Sequence, residues 1–247
     1  MRTARRALLA ALLLATGPAL ARPGCPALPR TFPLPREASA EELPSDDWRS
    51  RSRQLEARLA ATDRGRIQLA FIGDSITEAW EPGLWRQFYG HRAAFNLGLW
   101  GDFTNGALHR LARSQWEGLR PRVVVLLIGT NNLAWNHRPA DVAMGIAELV
   151  RLVQERSPRT KVLVLGLLPR GASAADPMRA QVAEVNALVA RCADEESTFY
   201  LDVGRLLLDA QGAMPDHISG DKLHLTPVGY AILATAMEPT LRRMLGE

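Results

Sequence analysis

Val123-Val124-Val125-Leu126-Leu127-Ile128-Gly129-Thr130-Asn131-Asn132 is an unbroken apolar run closed by a glycine and a polar turn. Six such residues, rich in β-branched side chains, are too few for a buried helix and suit a strand. Side chains alternate across a strand, so a run apolar at every position must be covered on both faces. A parallel sheet between two layers of helices supplies that cover. Working outward, the same punctuation recurs. Ile67–Ile72, Ala93–Leu97, Lys161–Leu167 and Thr198–Val203 are strand candidates, and helices are expected over Ile76–Tyr89, Asn105–Trp116, Ala140–Glu155, Asp176–Asp194 and Pro227–Leu245. Five strands alternating with helices predict an α/β fold with a parallel sheet, and ligands then bind beyond the carboxyl ends of the strands.

The 247 residues, 47% hydrophobic and 23% charged, fit one α/β domain and exclude a disordered chain or a stapled mini-protein. The formal charge of +4 comes almost wholly from scattered arginines, and loss of Arg2, Arg5 and Arg6 would lower it to +1. That removes the electrostatic case for nucleic acid as a partner. Met1–Arg6, the apolar run Ala7–Ala15, Gly17-Pro18 and Ala19-Leu20-Ala21 stand in the order of a secretory signal peptide. Export to the periplasm or beyond, with cleavage near Ala21, is expected, and the apolar run is too short for an integral membrane span. Residues 22–46 read as a Pro-rich extended leader, and Asp47–Thr62 as an amphipathic helix packed outside the core, at the start of a domain running from 47 to 247. Cys25 and Cys192, one in that leader and one in a helix, are expected to be unpaired thiols.

Chemistry is sought in the loops that follow the strands. Gly73-Asp74-Ser75 lies where the first strand turns into a helix, which suits either an exposed nucleophile or an ordinary N-cap serine. Asp221-Lys222-Leu223-His224 precedes the last helix, which Thr226 can cap and Pro227 can open. Such a loop lets a carboxylate orient one imidazole nitrogen while the other faces a nucleophile, or lets the pair simply hold the loop. Gly98-Leu99-Trp100-Gly101-Asp102 and Gly129-Thr130-Asn131-Asn132 offer N–H and amide donors at the same rim. His91, His109, His137 and His217 read as surface or structural, Asp74 as a brace for the Ser75 turn, Asp202 as a rim residue or turn cap, and Arg170 as a substrate contact or an outward ion pair.

Gly73-Asp74-Ser75, Gly101, Asn131 and Asp221-x-x-His224, in this order, resemble the SGNH (GDSL-type) esterases, and the likeness runs from about Ile67 to the end. Within that family, 97–104, 128–132, 165–171 and 223–226 are similar to the branch of the platelet-activating factor acetylhydrolase Ib catalytic subunits. The resemblance implies a flavodoxin-like three-layer sandwich and a serine esterase without metal or other cofactor. It implies Ser75 as nucleophile, His224 as base and Asp221 as its orienting carboxylate. Ser75, Gly101 and Asn131 would form the oxyanion hole, and Ile76, Thr130 and Leu223 would border a pocket for short acyl groups such as acetyl. Trp100 departs from the small residue usual before the oxyanion glycine, and Asn132 stands where many members have Asp. The substrate would be a small-molecule or glycan ester. A carbohydrate O-acetylesterase, an acyl thioesterase or a non-catalytic binding module of the same fold are the alternatives, and a homodimer is left open.

Overall fold

The computed structural model describes residues 24–29 and 33–247. The proposed signal peptide and its cleavage site lie outside them. Five parallel strands, β1 (Leu69–Gly73), β2 (Ala94–Gly98), β3 (Val123–Leu127), β4 (Lys161–Leu165) and β5 (Thr198–Leu201), form one sheet in the order β2-β1-β3-β4-β5. That is the flavodoxin-like order expected. Every residue of β1 and β3 is buried, which is why both are apolar throughout.

The helices are α1 (Asp46–Ala60), α2 (Ser75–Glu78), α3 (Pro82–Tyr89), α4 (Thr104–Ala112), α5 (Thr130–Ala134), α6 (Pro139–Arg156), α7 (Pro177–Val189) and α8 (Pro227–Leu245). α3 packs on α8, while α6 packs on α4 and α7. This pairing follows from right-handed crossovers, since the chain moves one way across the sheet from β1 to β2 and the other way afterwards. Among the described residues no helix is long and apolar enough to cross a membrane.

Most elements lie within two or three residues of their expected bounds, and α8 matches them. The helix expected over Ile76–Tyr89 is instead two. Pro82 cannot continue α2 but can open α3, where the Glu81 carboxylate accepts from the N–H groups of Gly83 and Leu84 at 2.9 and 2.6 Å. The helix expected to reach Trp116 ends at Ala112, and a short 3-10 turn covers Ser114–Trp116. α5 is too short to carry a periodic signal. Gly73 permits the turn out of β1, because a Cβ there would lie 2.0 Å from Thr77 Oγ1 and 2.4 Å from the Leu127 carbonyl oxygen.

Three expectations for the N-terminal region are corrected. α1 is not outside the core, since Trp48, Leu55 and Leu59 are buried in it. The segment before α1 is not a loose leader: a 3-10 turn at Arg36–Ala38 packs on α4 and α6, and Leu43 enters the core. The backbone comes so near α6 that a Cβ on Gly145 would lie 2.3 Å from the Glu37 carbonyl oxygen. Cys25 and Cys192 form a disulfide. Neither residue's spacing signals this, because the pairing depends on where the leader returns beside the 3-10 turn after α7.

The bridge closes a loop with a sequence separation of 167. Loop-closure entropy and the usual cost of losing a native disulfide predict that Cys25→Ser lowers stability by about 2–5 kcal/mol. Thermal unfolding should show a drop of roughly 5–15 °C. An unchanged midpoint, with the wild type verified as oxidised, would contradict a stabilising role for the bridge.

Candidate active site

β1 and β3 are neighbours, but the chain leaves them toward opposite sides, which opens a crevice at their carboxyl ends. Ser75 follows β1 and is the first residue of α2; Asp74 caps that helix by accepting from the Ile76 N–H at 3.0 Å. The Ser75 Oγ lies 2.9 Å from His224 Nε2, although 149 residues separate them. The hydroxyl is therefore not spent on capping.

The loop before α8 supplies the partner. Lys222 takes the left-handed conformation, with φ 63°, and this turns Leu223 and His224 back over Asp221. The Asp221 Oδ1 accepts from the N–H groups of Leu223 and His224 at 3.0 and 2.7 Å and from Ser219 Oγ at 3.2 Å. Its Oδ2 stands 2.6 Å from His224 Nδ1. Partial burial would raise this carboxyl, but the His224 ring and the two backbone N–H groups outweigh it and hold the pKa down to about 2. Asp221 is thus ionised at neutral pH. Thr226 caps α8 by accepting from the Gly229 N–H at 3.3 Å, and the Tyr230 hydroxyl donates to the Ile76 carbonyl at 2.7 Å. That buried bond fastens α8, and so the His224 loop, to the helix of Ser75.

Two other rim loops converge here. Residues 99–102 form a tight turn closed by Asp102 N–H to the Leu99 carbonyl at 3.1 Å, with Gly101 at φ 71°, a value that suits glycine at this position. Leu99 N–H donates to the Gly73 carbonyl at 3.0 Å and ties that turn to the end of β1. Among the described residues, the N–H groups of Ser75 and Gly101 have no hydrogen-bond acceptor. Asn131 Nδ2 donates to the Asp102 carbonyl at 2.9 Å, which orients the amide and uses one of its two protons. Asp102 is itself anchored. Its buried carboxylate accepts from Arg110 Nε at 2.8 Å, Trp48 Nε1 at 2.9 Å and the Phe103 N–H at 3.1 Å.

A cleft of about 330 Å³ opens beside Gly101 and Asn131, lined by Trp100, Phe103 and Trp135, by Arg36 and His137, and by residues 43–45, 47 and 48. Ile76, Thr130 and Leu223 are not among its lining. Ile76 and Thr130 are buried, and Leu223 is half-buried in the Asp221 loop. Arg170 donates to the Thr130 carbonyl and hydroxyl at 3.0 and 3.1 Å. Asp202 caps a turn through the Gly204 N–H at 2.8 Å. Asn132 is fully buried, accepts from the Thr104 N–H at 3.1 Å, and braces the loops after β2 and β3. His137 is structural, with Nδ1 2.6 Å from Glu37 Oε1. Sequence reading missed the roles of Tyr230, Arg110 and Trp48, whose partners are distant in the chain. It also missed the stacking of Trp100 on the His224 ring at 4.8 Å and 18°.

A parallel sheet with this crevice, a serine in contact with a histidine–aspartate pair, and open N–H donors beside it are the parts that a serine hydrolase on a flavodoxin-like fold requires. Residues 71–232 match the family model described as GDSL-like Lipase/Acylhydrolase. The chain belongs to this family and is a carboxylic ester hydrolase. It is 36% identical over 182 residues to platelet-activating factor acetylhydrolase IB subunit alpha1 of Homo sapiens, a match covering 73% of this chain and 78% of that protein. To subunit alpha2 of Rattus norvegicus it is 32% identical over 212 residues, covering 85% and 90%. Its fold resembles a GDSL-like lipase from Bacteroides thetaiotaomicron, with a TM-score of 0.65 at 20% identity over 78% of this chain and 97% of that one. It also resembles an acetylxylan esterase from Geobacillus stearothermophilus, with a TM-score of 0.55 at 21% identity over 73% and 94%.

Burial raises the Asp74 carboxyl to about 7, against the opposing pull of the Ile76 N–H. The fold keeps a proton that the unfolded chain, with a carboxyl near ~3.9, releases earlier. Stability from this group is full below about pH 4 and is lost as pH rises through about 7. Asp74→Asn keeps an acceptor oxygen for Ile76, so its melting temperature relative to wild type should climb between pH 5 and pH 8. A pH-independent difference would contradict the buried titration. Tyr230→Phe should cost about 1–2 kcal/mol, the loss of one buried hydrogen bond with its acceptor left unpaired, measured by denaturant unfolding.

Proposed function

We propose that this protein is an exported serine esterase that hydrolyses short-chain, acetyl-type esters. What carries the reading is the chain of contacts from Ser75 Oγ to His224 Nε2 at 2.9 Å and from His224 Nδ1 to Asp221 Oδ2 at 2.6 Å, beside unpaired N–H groups. Ser75 Oγ attacks the ester carbonyl carbon and its proton passes to His224 Nε2. Asp221 stays ionised, fixes the ring and stabilises the imidazolium. The oxyanion is held by the N–H groups of Ser75 and Gly101 and the second proton of Asn131 Nδ2. The bond to the alcohol then breaks, His224 returns the proton to the leaving oxygen, and water repeats the sequence on the acyl-enzyme.

The acetyl preference is supported by the names of the acetylhydrolase relatives and by the motifs shared with them. Ile76, Thr130 and Leu223 are proposed to border the acyl group. Export is supported by the signal-peptide pattern at 1–21 and by the Cys25–Cys192 bridge, since disulfides persist in oxidising compartments. Cell fractionation and N-terminal sequencing of the mature protein, with Arg22 as the expected first residue, test that part.

Ser75→Ala should keep the fold and lose at least about 10³-fold in turnover of p-nitrophenyl acetate. Labelling of Ser75 by a fluorophosphonate probe is the companion measurement; wild-type turnover in the folded variant would refute Ser75 as the nucleophile, and absence of labelling in the native protein would support a binding module instead. Asn131→Ala should lower kcat by about 100-fold or more, as removal of an oxyanion donor does.

A further inference from the structure

We propose that Trp100 is a positioning residue of the esterase reaction, whose indole face fixes the His224 ring and stabilises the charge that ring gains with the Ser75 proton. This rests on the esterase reading above. The two nitrogens of His224 are committed in the plane of the ring, Nδ1 at 2.6 Å from Asp221 Oδ2 and Nε2 at 2.9 Å from Ser75 Oγ. Only its faces are left. Trp100 lies against one of them, with ring centroids 4.8 Å apart and planes inclined by 18°. Asp221 thus meets the imidazolium at its edge, and the indole meets it at its face.

Packing does not account for this tryptophan. It is 44% exposed, stands outside the hydrophobic core, and among the described residues His224 is the ring it stacks on. Its position is nevertheless fixed from the backbone. The Trp100 N–H donates to the Glu78 carboxylate at the end of α2, Arg51 of α1 holds that carboxylate at 3.4 Å, and the Leu99 N–H donates to the Gly73 carbonyl at 3.0 Å. The indole is therefore carried on a turn tied to the strand and helix that present Ser75. The face of an indole is electron-rich, and within about 6 Å it draws a cation more strongly than a neutral ring. In the proposed reaction His224 is neutral when substrate binds and cationic at each tetrahedral intermediate, once in forming the acyl-enzyme and once in its hydrolysis. An interaction that strengthens only at that stage raises kcat and leaves substrate binding unchanged.

Hydrolysis of p-nitrophenyl acetate by variants at position 100, each checked for a cooperative unfolding transition, tests this. Trp100→Leu, which keeps an apolar side chain without a π-face, should lower kcat about tenfold and leave KM within about twofold. Trp100→Phe should recover to within about threefold of wild type, because a benzene ring offers a weaker face of the same kind. An unchanged kcat in Trp100→Leu, a loss carried by KM, or a Trp100→Phe no better than Trp100→Leu would overturn the proposal. Proton NMR gives a readout free of turnover. The ring current of the indole should shift the carbon-bound protons of the His224 ring upfield in wild type, and Trp100→Leu should remove that shift. Identical His224 signals in the two proteins would show that the rings do not stack in solution and would overturn the proposal too. Absence of any hydrolysis by the wild type would instead remove the esterase reading on which the proposal rests.

Discussion

The Asp102 carboxylate, fully withdrawn from water, is the point on which the rim depends. Arg110 of α4, the Trp48 indole of α1 and the Phe103 N–H all donate to it, and its own carbonyl receives the Asn131 amide. A carboxylate in so dry a place would be costly alone, and taking away one member of such a pair typically costs 3–5 kcal/mol. Here three donors offset part of the cost, burial still holding the carboxyl above its ordinary range, and the result is positional. One residue joins the Gly101 turn and Asn131 through its backbone and the first helix through its side chain.

A second set of bonds locates the opposite half of the site. The loop carrying Asp221 and His224 reaches Ser75 from the far end of the chain, and Tyr230 ties the helix after it to the Ile76 carbonyl. Asp221 is held from several directions at once, so the imidazole has one orientation and one face toward the hydroxyl. Trp100 closes over that ring. Its N–H donates to the Glu78 carboxylate at the end of α2, so the turn after β2 is tied to the helix of Ser75 as well.

The N-terminal region gains importance from these contacts. α1 and the 3-10 turn at Arg36–Ala38 before it are part of the packed domain, Cys25 is bridged to Cys192, and residues of this region line the cleft at the site. A binding surface made from a segment outside the repeating strand–helix pattern can vary without disturbing the sheet.

Local sequence determined the sheet and marked the residues proposed to react. Continuous apolar runs require two covered faces, Pro82, Pro139, Pro177 and Pro227 mark where helices open, and short polar blocks after the strands carry the serine, the amides and the Asp–His pair. These signals act over a few residues, so they can be read in one dimension. Tertiary structure decided the rest: that 75 meets 224, that Trp48 and Arg110 converge on Asp102, that Cys25 finds Cys192, and that the leader lines a cleft instead of trailing in solvent. Each of those contacts joins residues far apart in the chain, and only the folded packing of helices on the sheet brings their side chains within bonding distance.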